Sequence, residues 1–216
     1  MNQQHPTGES LAASLAALGV ELPTDQIDVL DRYCRLLWQW NERLNLTRHT
    51  THDKFAARDV VDSLALAKLL QPAERVLDVG TGGGVPGVVL AVVRPDLKVS
   101  LCESVAKKAK AVQAIVRELN LQLPAYHARA EELLQRQSFD ALVARAVAPL
   151  TKLLTWLAPH WPSIGRLLVI QGPQWTTQRA AARERQLLED LSLRKADEYV
   201  IPGTDALSVV LEIRRK

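Results

Sequence analysis

Five of the ten glycines in this 216-residue chain, Gly80, Gly82, Gly83, Gly84 and Gly87, fall within eight consecutive positions. They stand in LDVGTGGGVPG, directly after the apolar run RVLDV at 75–79. A strand that ends in such a loop and passes into a helix, with Pro86 suited to the first turn, has a backbone free to take positive φ and to lie against a ligand. In an open α/β sheet the crevice for that ligand lies beyond the carboxyl ends of the strands, where strand order reverses. The loop therefore predicts a small-cofactor site after a first strand.

The flanking patterns agree with such a sheet. After residue 75, short apolar runs recur at 98–103, 124–128, 139–145 and 166–171, separated by helix-length segments such as 106–119 and 149–158. Continuous apolar runs suit strands buried on both faces, and the βαβα order predicts a doubly wound, mostly parallel α/β sheet. The last two runs, 194–201 and 207–214, are joined by too few residues for a parallel crossover, so the closing pair should be antiparallel. Residues 1–70 read as a helical extension ahead of a cofactor-binding domain over 71–216. Helices are expected at 9–19, at 24–44 (Ile27, Leu30, Cys34, Leu37 and Leu44 on one face, Thr24 as cap) and at 53–70 (Val60, Leu64 and Ala67 on one face).

Other classes are excluded quickly. At 47% hydrophobic and 24% charged the chain is neither disordered nor fibrous. Cys34 and Cys102 form no CxxC pair and no disulfide framework, which points to a reducing, cytoplasmic setting. The N-terminal MNQQHPTGES has no leader pattern, and no run approaches the ~20 apolar residues of a membrane span. His49 and His52 form an HxxH with no further ligands nearby in sequence, so no metal is expected; a solvated or RNA-facing loop suits them better.

Two cofactors compete for the loop. Gly82-x-Gly84-x-x-Gly87 satisfies the dinucleotide pattern, with Glu103 about 20 residues on to bind a ribose, which would make the chain an NAD-dependent oxidoreductase. The same stretch reads Asp78-x-Gly80-x-Gly82-x-Gly84, which resembles motif I of the class I (Rossmann-like) S-adenosylmethionine-dependent methyltransferases. Asp78 and the helical stretch ahead of the loop favour the second reading.

Further boxes narrow it. Asn45-Leu46-Thr47, Arg58, Val61-Asp62-Ser63-Leu64, DVGTGGGVPG, Ala128-Arg129-Ala130-Glu131-Glu132 and Ala144-Arg145-Ala146 occur in this order. Together they resemble the bacterial small-subunit (16S) ribosomal RNA guanine-N7 methyltransferase family, also called the glucose-inhibited division protein B family, from about residue 25 onward. The resemblance implies that Gly80 and Val85 contact S-adenosylmethionine and that Ala130 and Glu131 flank its adenine. It also implies that Arg145 faces cofactor and target base as a positioning group, while Glu103 holds the ribose by the logic of the fold. An acid at Glu131 also fits the ordinary preference of a helix start, and an Arg ending a buried strand must find some anion.

The implied chemistry needs no general base, because guanine N7 carries a lone pair and no proton. The amino-methylating [DNS]PP[YF] box is replaced by ARAVAPL, and neither cysteine is placed as a nucleophile. The implied partner is 16S ribosomal RNA or a small-subunit assembly intermediate, met by a monomer. Between Arg43 and Arg58 stand four basic residues and one acid, a local excess of +3 that equals that of the whole chain. Such a cluster suits phosphate contacts or a solvated helix face, and Lys107, Lys108 and Lys110 could extend it. Trp38 and Trp40 could stack bases or fill a core. Gln171, Asp59 and Val147 stand where the family usually has Lys, His and an aromatic, and a basic residue usual around 206–208 is missing. These departures leave open an S-adenosylmethionine-binding RNA module without catalysis.

Overall fold

The computed structural model describes residues 10–216. Two helices open the chain, α1 (Leu11–Ala17) and α2 (Thr24–Asn41). The expected 9–19 helix is thus shorter, and residue 9 lies outside the described residues. Ser10 caps α1 by accepting from Ala13 N at 3.2 Å. Thr24 does not cap α2; Pro23 occupies that position and Thr24 is the first helical residue.

The expected 53–70 helix is in three pieces. A single turn, α3 (His52–Lys54), runs into a π-helical stretch, Phe55–Val60, and then α4 (Val61–Ala67). Each π turn carries one residue more than an α turn, which rotates the following side chains around the axis. The result is that Asp59, Asp62 and Ser63 are buried together with Val60 and Ala67, while Leu64 is only partly buried.

The sheet has seven strands in the order β3-β2-β1-β4-β5-β7-β6: β1 (Arg75–Val79), β2 (Lys98–Glu103), β3 (Ala125–His127), β4 (Phe139–Arg145), β5 (Ile164–Gln171), β6 (Leu191–Val200) and β7 (Leu207–Arg215). β1 to β5 are parallel, and β7 runs antiparallel to both β5 and β6, as the short connection required. Strand order reverses between β1 and β4, so the glycine loop sits at the switch point. The expectation of burial on both faces fails for the 124–128 run, which forms the sheet edge β3. β3 and β6 are largely accessible, because an edge strand lacks a neighbour on one side.

The remaining helices, α5 (Gly87–Val93), α6 (Ala106–Glu118), α7 (Ala130–Leu134), α8 (Leu150–Leu157) and α9 (Trp175–Glu184), divide between the faces. Strand side chains alternate accordingly. Val76, Ala141, Val143, Leu168 and Ile170 pack with α1, α2, α4, α5 and α6, whereas Leu77, Val79, Leu142, Ala144, Leu167 and Val169 pack with α7, α8 and α9. The N-terminal helices thus share one core with a sheet face. Both cysteines are buried, which pushes their thiols up to about 12.

Arg166 on β5 is one of the charges buried on the helical-extension face. It is held by Glu74 through two bonds of 2.6 and 2.7 Å and by the Leu69 carbonyl at 3.0 Å. Removing one partner of such a pair leaves an uncompensated ion, so Glu74→Ala should cost about 3–5 kcal/mol in a denaturant titration. A loss below about 1 kcal/mol would show that the pair is solvated.

Candidate functional site

Asp78, the last-but-one residue of β1, organises the glycine loop. Its wholly buried carboxylate accepts from Thr81 Oγ1 at 2.5 Å and from Gly87 N at 2.9 Å, joining the start of the loop to the start of α5. A side chain at Gly87 would collide with Leu101 and Asp78, which is why α5 begins on glycine. Burial outweighs the two hydrogen bonds and raises the Asp78 pKa to about 7. Its second oxygen, Oδ1, is shielded from solvent and has no partner. Gly82 has φ +59°, and no atom lies within 4 Å of where its Cβ would stand, so the loop presents bare backbone to open space. From the other side Tyr33 Oη donates to Gly83 O at 3.1 Å, so α2 supports the loop.

That open space belongs to a cleft of about 1000 Å³ at the carboxyl ends of β1, β2 and β4. Gly80, Val85, Glu103, Ala130, Glu131 and Arg145, scattered over 66 positions of sequence, all line it. Glu103 ends β2 nearly buried; it accepts from Gly82 N at 3.0 Å and Val105 N at 2.8 Å, one on each oxygen. Each oxygen keeps a lone pair for a further donor. Ala130 and Glu131 open α7, where backbone N–H groups have no intrahelical partner.

Arg145 lies in the cleft wall, but its anion is internal. The guanidinium donates to Asp59 Oδ1 at 2.6 Å and to Asp62 Oδ2 at 3.1 Å, both carboxylates being fully buried. Burial works against its charge, but the two carboxylates outweigh this and raise its pKa. Asp62 also accepts from Tyr199 Oη of β6 at 2.7 Å and faces Arg58 at 3.6 Å, while Asp59 takes His49 Nδ1 at 2.9 Å. Asp59 is therefore more than an absent family cation: it is one half of the anion that Arg145 requires. The π turn carries Arg58 and Asp59 into this cluster, and no linear motif announces it.

Not all the other expectations hold. His49 stands in a loop, as expected, and lines the cleft wall, while its carbonyl accepts from Trp38 Nε1 at 2.7 Å. Trp38 and Trp40 are both partly buried against the core and neither lines the cleft. Trp156, which the sequence reading passed over, does line it. Of the basic residues, Arg48, Arg58 and Lys108 reach the cleft, joined by Arg129, whereas Arg43, Lys54, Lys107 and Lys110 are exposed outside it. Gln171 is buried at the end of β5, opposite Val209. His52 is not without neighbouring ligands: the fold sets Asp31 and Cys34 beside it. Among the described residues no helix is long and apolar enough to cross a membrane.

Comparison with known proteins follows the same direction. The model of the GidB family, described as rRNA small subunit methyltransferase G, matches residues 26–200. The ribosomal RNA small subunit methyltransferase G of Rhodopirellula baltica is 48% identical over 86% of this chain and 80% of its own length. That of Anaeromyxobacter dehalogenans (strain 2CP-C) is 36% identical over 96% and 97%. Among solved structures, M. capricolum TrmK in complex with S-adenosyl-homocysteine superposes with a TM-score of 0.56 at 16% identity, covering 72% of this chain and 68% of that one. The 23S rRNA methyltransferase ErmE gives 0.53 at 16% identity, covering 74% and 69%. These two likenesses show a class I methyltransferase fold.

The raised Asp78 pKa has a thermodynamic sign. An unfolded Asp titrates near ~3.9, so between about 4 and 7 the folded chain holds a proton that the unfolded chain has released. This group's contribution to stability is full below that window and declines as pH rises through it. The stability difference between the wild type and Asp78→Asn, read from urea midpoints, should therefore shift against the wild type from pH 4 to 7. A pH-independent difference would show that Asp78 is ionised throughout.

Proposed function

The chain belongs to the GidB family of rRNA small subunit methyltransferase G proteins, and from this we propose that it methylates N7 of a guanine in 16S ribosomal RNA, using S-adenosylmethionine. The observation that carries the reading is the cleft at the switch point, where a glycine loop, Glu103 and the start of α7 converge. The residues present fit the cofactor. Gly82 opens bare backbone onto the cleft, and the shielded, unpartnered Asp78 Oδ1 offers a buried acceptor behind the same loop.

When bound, S-adenosylmethionine supplies a methyl group activated on a sulfonium. In this reading Glu103 accepts the ribose hydroxyls on its remaining lone pairs, Ala130 and Glu131 border the adenine, and Gly80 and Val85 floor the middle of the cleft. Arg145 acts as a positioning residue, because its two carboxylates hold it still and leave it a fixed wall. Guanine N7 brings its own lone pair and has no proton to lose, so the chain need only orient the base and exclude water; approach and orientation supply most of the rate. Arg48, Lys108 and Arg129 at the cleft supply cations for the phosphates of the RNA or of a small-subunit assembly intermediate. The segment 1–70, helical in its described part from residue 10, then serves as an RNA-facing extension of the 71–216 cofactor domain. In this reading the chain acts as a monomer, and the ribosomal RNA substrate supports a cytoplasmic setting.

The direct test is to incubate the protein with labelled S-adenosylmethionine and undermethylated 16S ribosomal RNA and map the product. Label in 7-methylguanosine at one position is expected; label elsewhere, or none where a relative works, overturns the proposal. Glu103→Ala should weaken S-adenosylmethionine binding about 10- to 100-fold by calorimetry, the value of one hydrogen bond to a charged group. Unchanged affinity would remove Glu103 from the site. Arg48→Ala should reduce the slope of log affinity for RNA against log salt by about 0.7–0.9, the signature of one lost phosphate contact. An unaltered slope would place Arg48 off the RNA path.

A further inference from the structure

Outside the cleft, one group of side chains has the composition of a metal site. Asp31 and Cys34 stand three residues apart on α2, which puts both on the same face of that helix. His52, the first residue of α3, lies across from them. The carboxylate oxygen, the thiol sulfur and the imidazole nitrogen all lie within 4.8 Å of one another. None of the three lines the cleft.

The bonding within this group is incomplete. His52 Nε2 and Asp31 Oδ1 approach to 3.0 Å, yet they are not aligned as a hydrogen bond, and both atoms are shielded from solvent with no hydrogen-bond partner. A shielded donor or acceptor without a partner has lost its water and gained nothing in return. The other carboxylate oxygen, Asp31 Oδ2, is taken by Arg35 at 2.8 Å, which orients the carboxylate and leaves Oδ1 to face the group. Cys34 is fully buried, and its Sγ donates to the Asp31 carbonyl oxygen at 3.1 Å. Cys102, the other buried cysteine, belongs to no such group among the described residues.

We propose that Asp31, Cys34 and His52 form a binding site for a zinc-class divalent cation, with water as a fourth ligand. A mixed S, N, O donor set suits Zn²⁺, which accepts all three and imposes no geometry of its own beyond a tetrahedral preference. With bonds of about 2.0–2.3 Å, tetrahedral ligand atoms lie roughly 3.3–3.8 Å apart. The His52–Asp31 pair at 3.0 Å therefore opens slightly and the wider separations, up to 4.8 Å, close by about 1 Å, within reach of the partly exposed Asp31 side chain. On binding, the Cys34 S–H bond breaks, its proton passes to solvent and an S–metal bond forms; nothing is oxidised or reduced. The ion satisfies His52 Nε2 and Asp31 Oδ1 together. It also ties α3 to α2 at the far end of the 42–51 segment, whose residues Asn45, Thr47, Arg48 and His49 line the cleft.

The test uses the full chain in a non-thiol reductant, titrated with Co²⁺ and then displaced by Zn²⁺. The expected result is a one-to-one thiolate-to-cobalt charge-transfer band with four-coordinate d–d absorption. It should be bleached by Zn²⁺, present in Cys102→Ser, absent in Cys34→Ser and at least tenfold weaker in affinity in His52→Ala. Because metal binding competes with the thiol proton, affinity should rise with pH. No thiolate band in the wild-type chain overturns the proposal, as does a band that survives Cys34→Ser. The measurement needs neither RNA nor S-adenosylmethionine, so its outcome is independent of the methyltransferase reading.

Discussion

A guanidinium cannot be left in a protein interior without anions, and Arg145 is where this chain meets that constraint. Ala141 and Val143 of β4 face the N-terminal helices, so the arginine two positions further on, which closes that strand, points at the helical layer. Two fully buried carboxylates, Asp59 and Asp62, answer it. To supply both from one short stretch, the backbone passes through a π turn before α4. The same carboxylates then gather Tyr199 from β6, Arg58 from the π turn and His49 from the cleft wall. One buried charge thus joins the helical layer, the central strand β4 and the antiparallel edge.

The cleft follows from that joint. The helical layer is held over the carboxyl end of the sheet, so α2 supports the glycine loop through Tyr33, and the 45–49 segment forms the cleft's outer side. Asp78 closes the inner side by tying the loop to the start of α5. A rigid, largely prebuilt cleft suits a transfer in which the substrate brings its own nucleophilic lone pair and the protein's task is orientation.

The departures from the family pattern become intelligible at the level of contacts. Asp59, read from the sequence as a lost cation, is buried between Arg145 and His49, and its carboxylate binds both. Gln171 is buried at the end of β5, in register with Val209. The basic cluster read at 43–58 is also divided by the fold. Arg58 faces the buried Asp62, while Arg48 remains at the cleft.

The sequence by itself determined the sheet, its antiparallel close and the loop at the switch point, while the family resemblance pointed to the six positions that line the cleft. These depend on local patterns: apolar runs, glycine clustering, connection length and the order of short boxes. What it could not show were contacts between residues far apart in the chain. Arg145 meets Asp59 across 86 positions and Tyr199 meets Asp62 across 137. The grouping of His52 with Asp31 and Cys34 likewise depends on how α3 packs against α2. The π turn escaped for a related reason, since apolar periodicity over 53–70 fits an unbroken helix and the buried arginine that calls for the rotation lies on another strand. Local physics writes itself into neighbouring residues, whereas the pairing of buried charges is settled only when tertiary packing decides which desolvated groups must face each other.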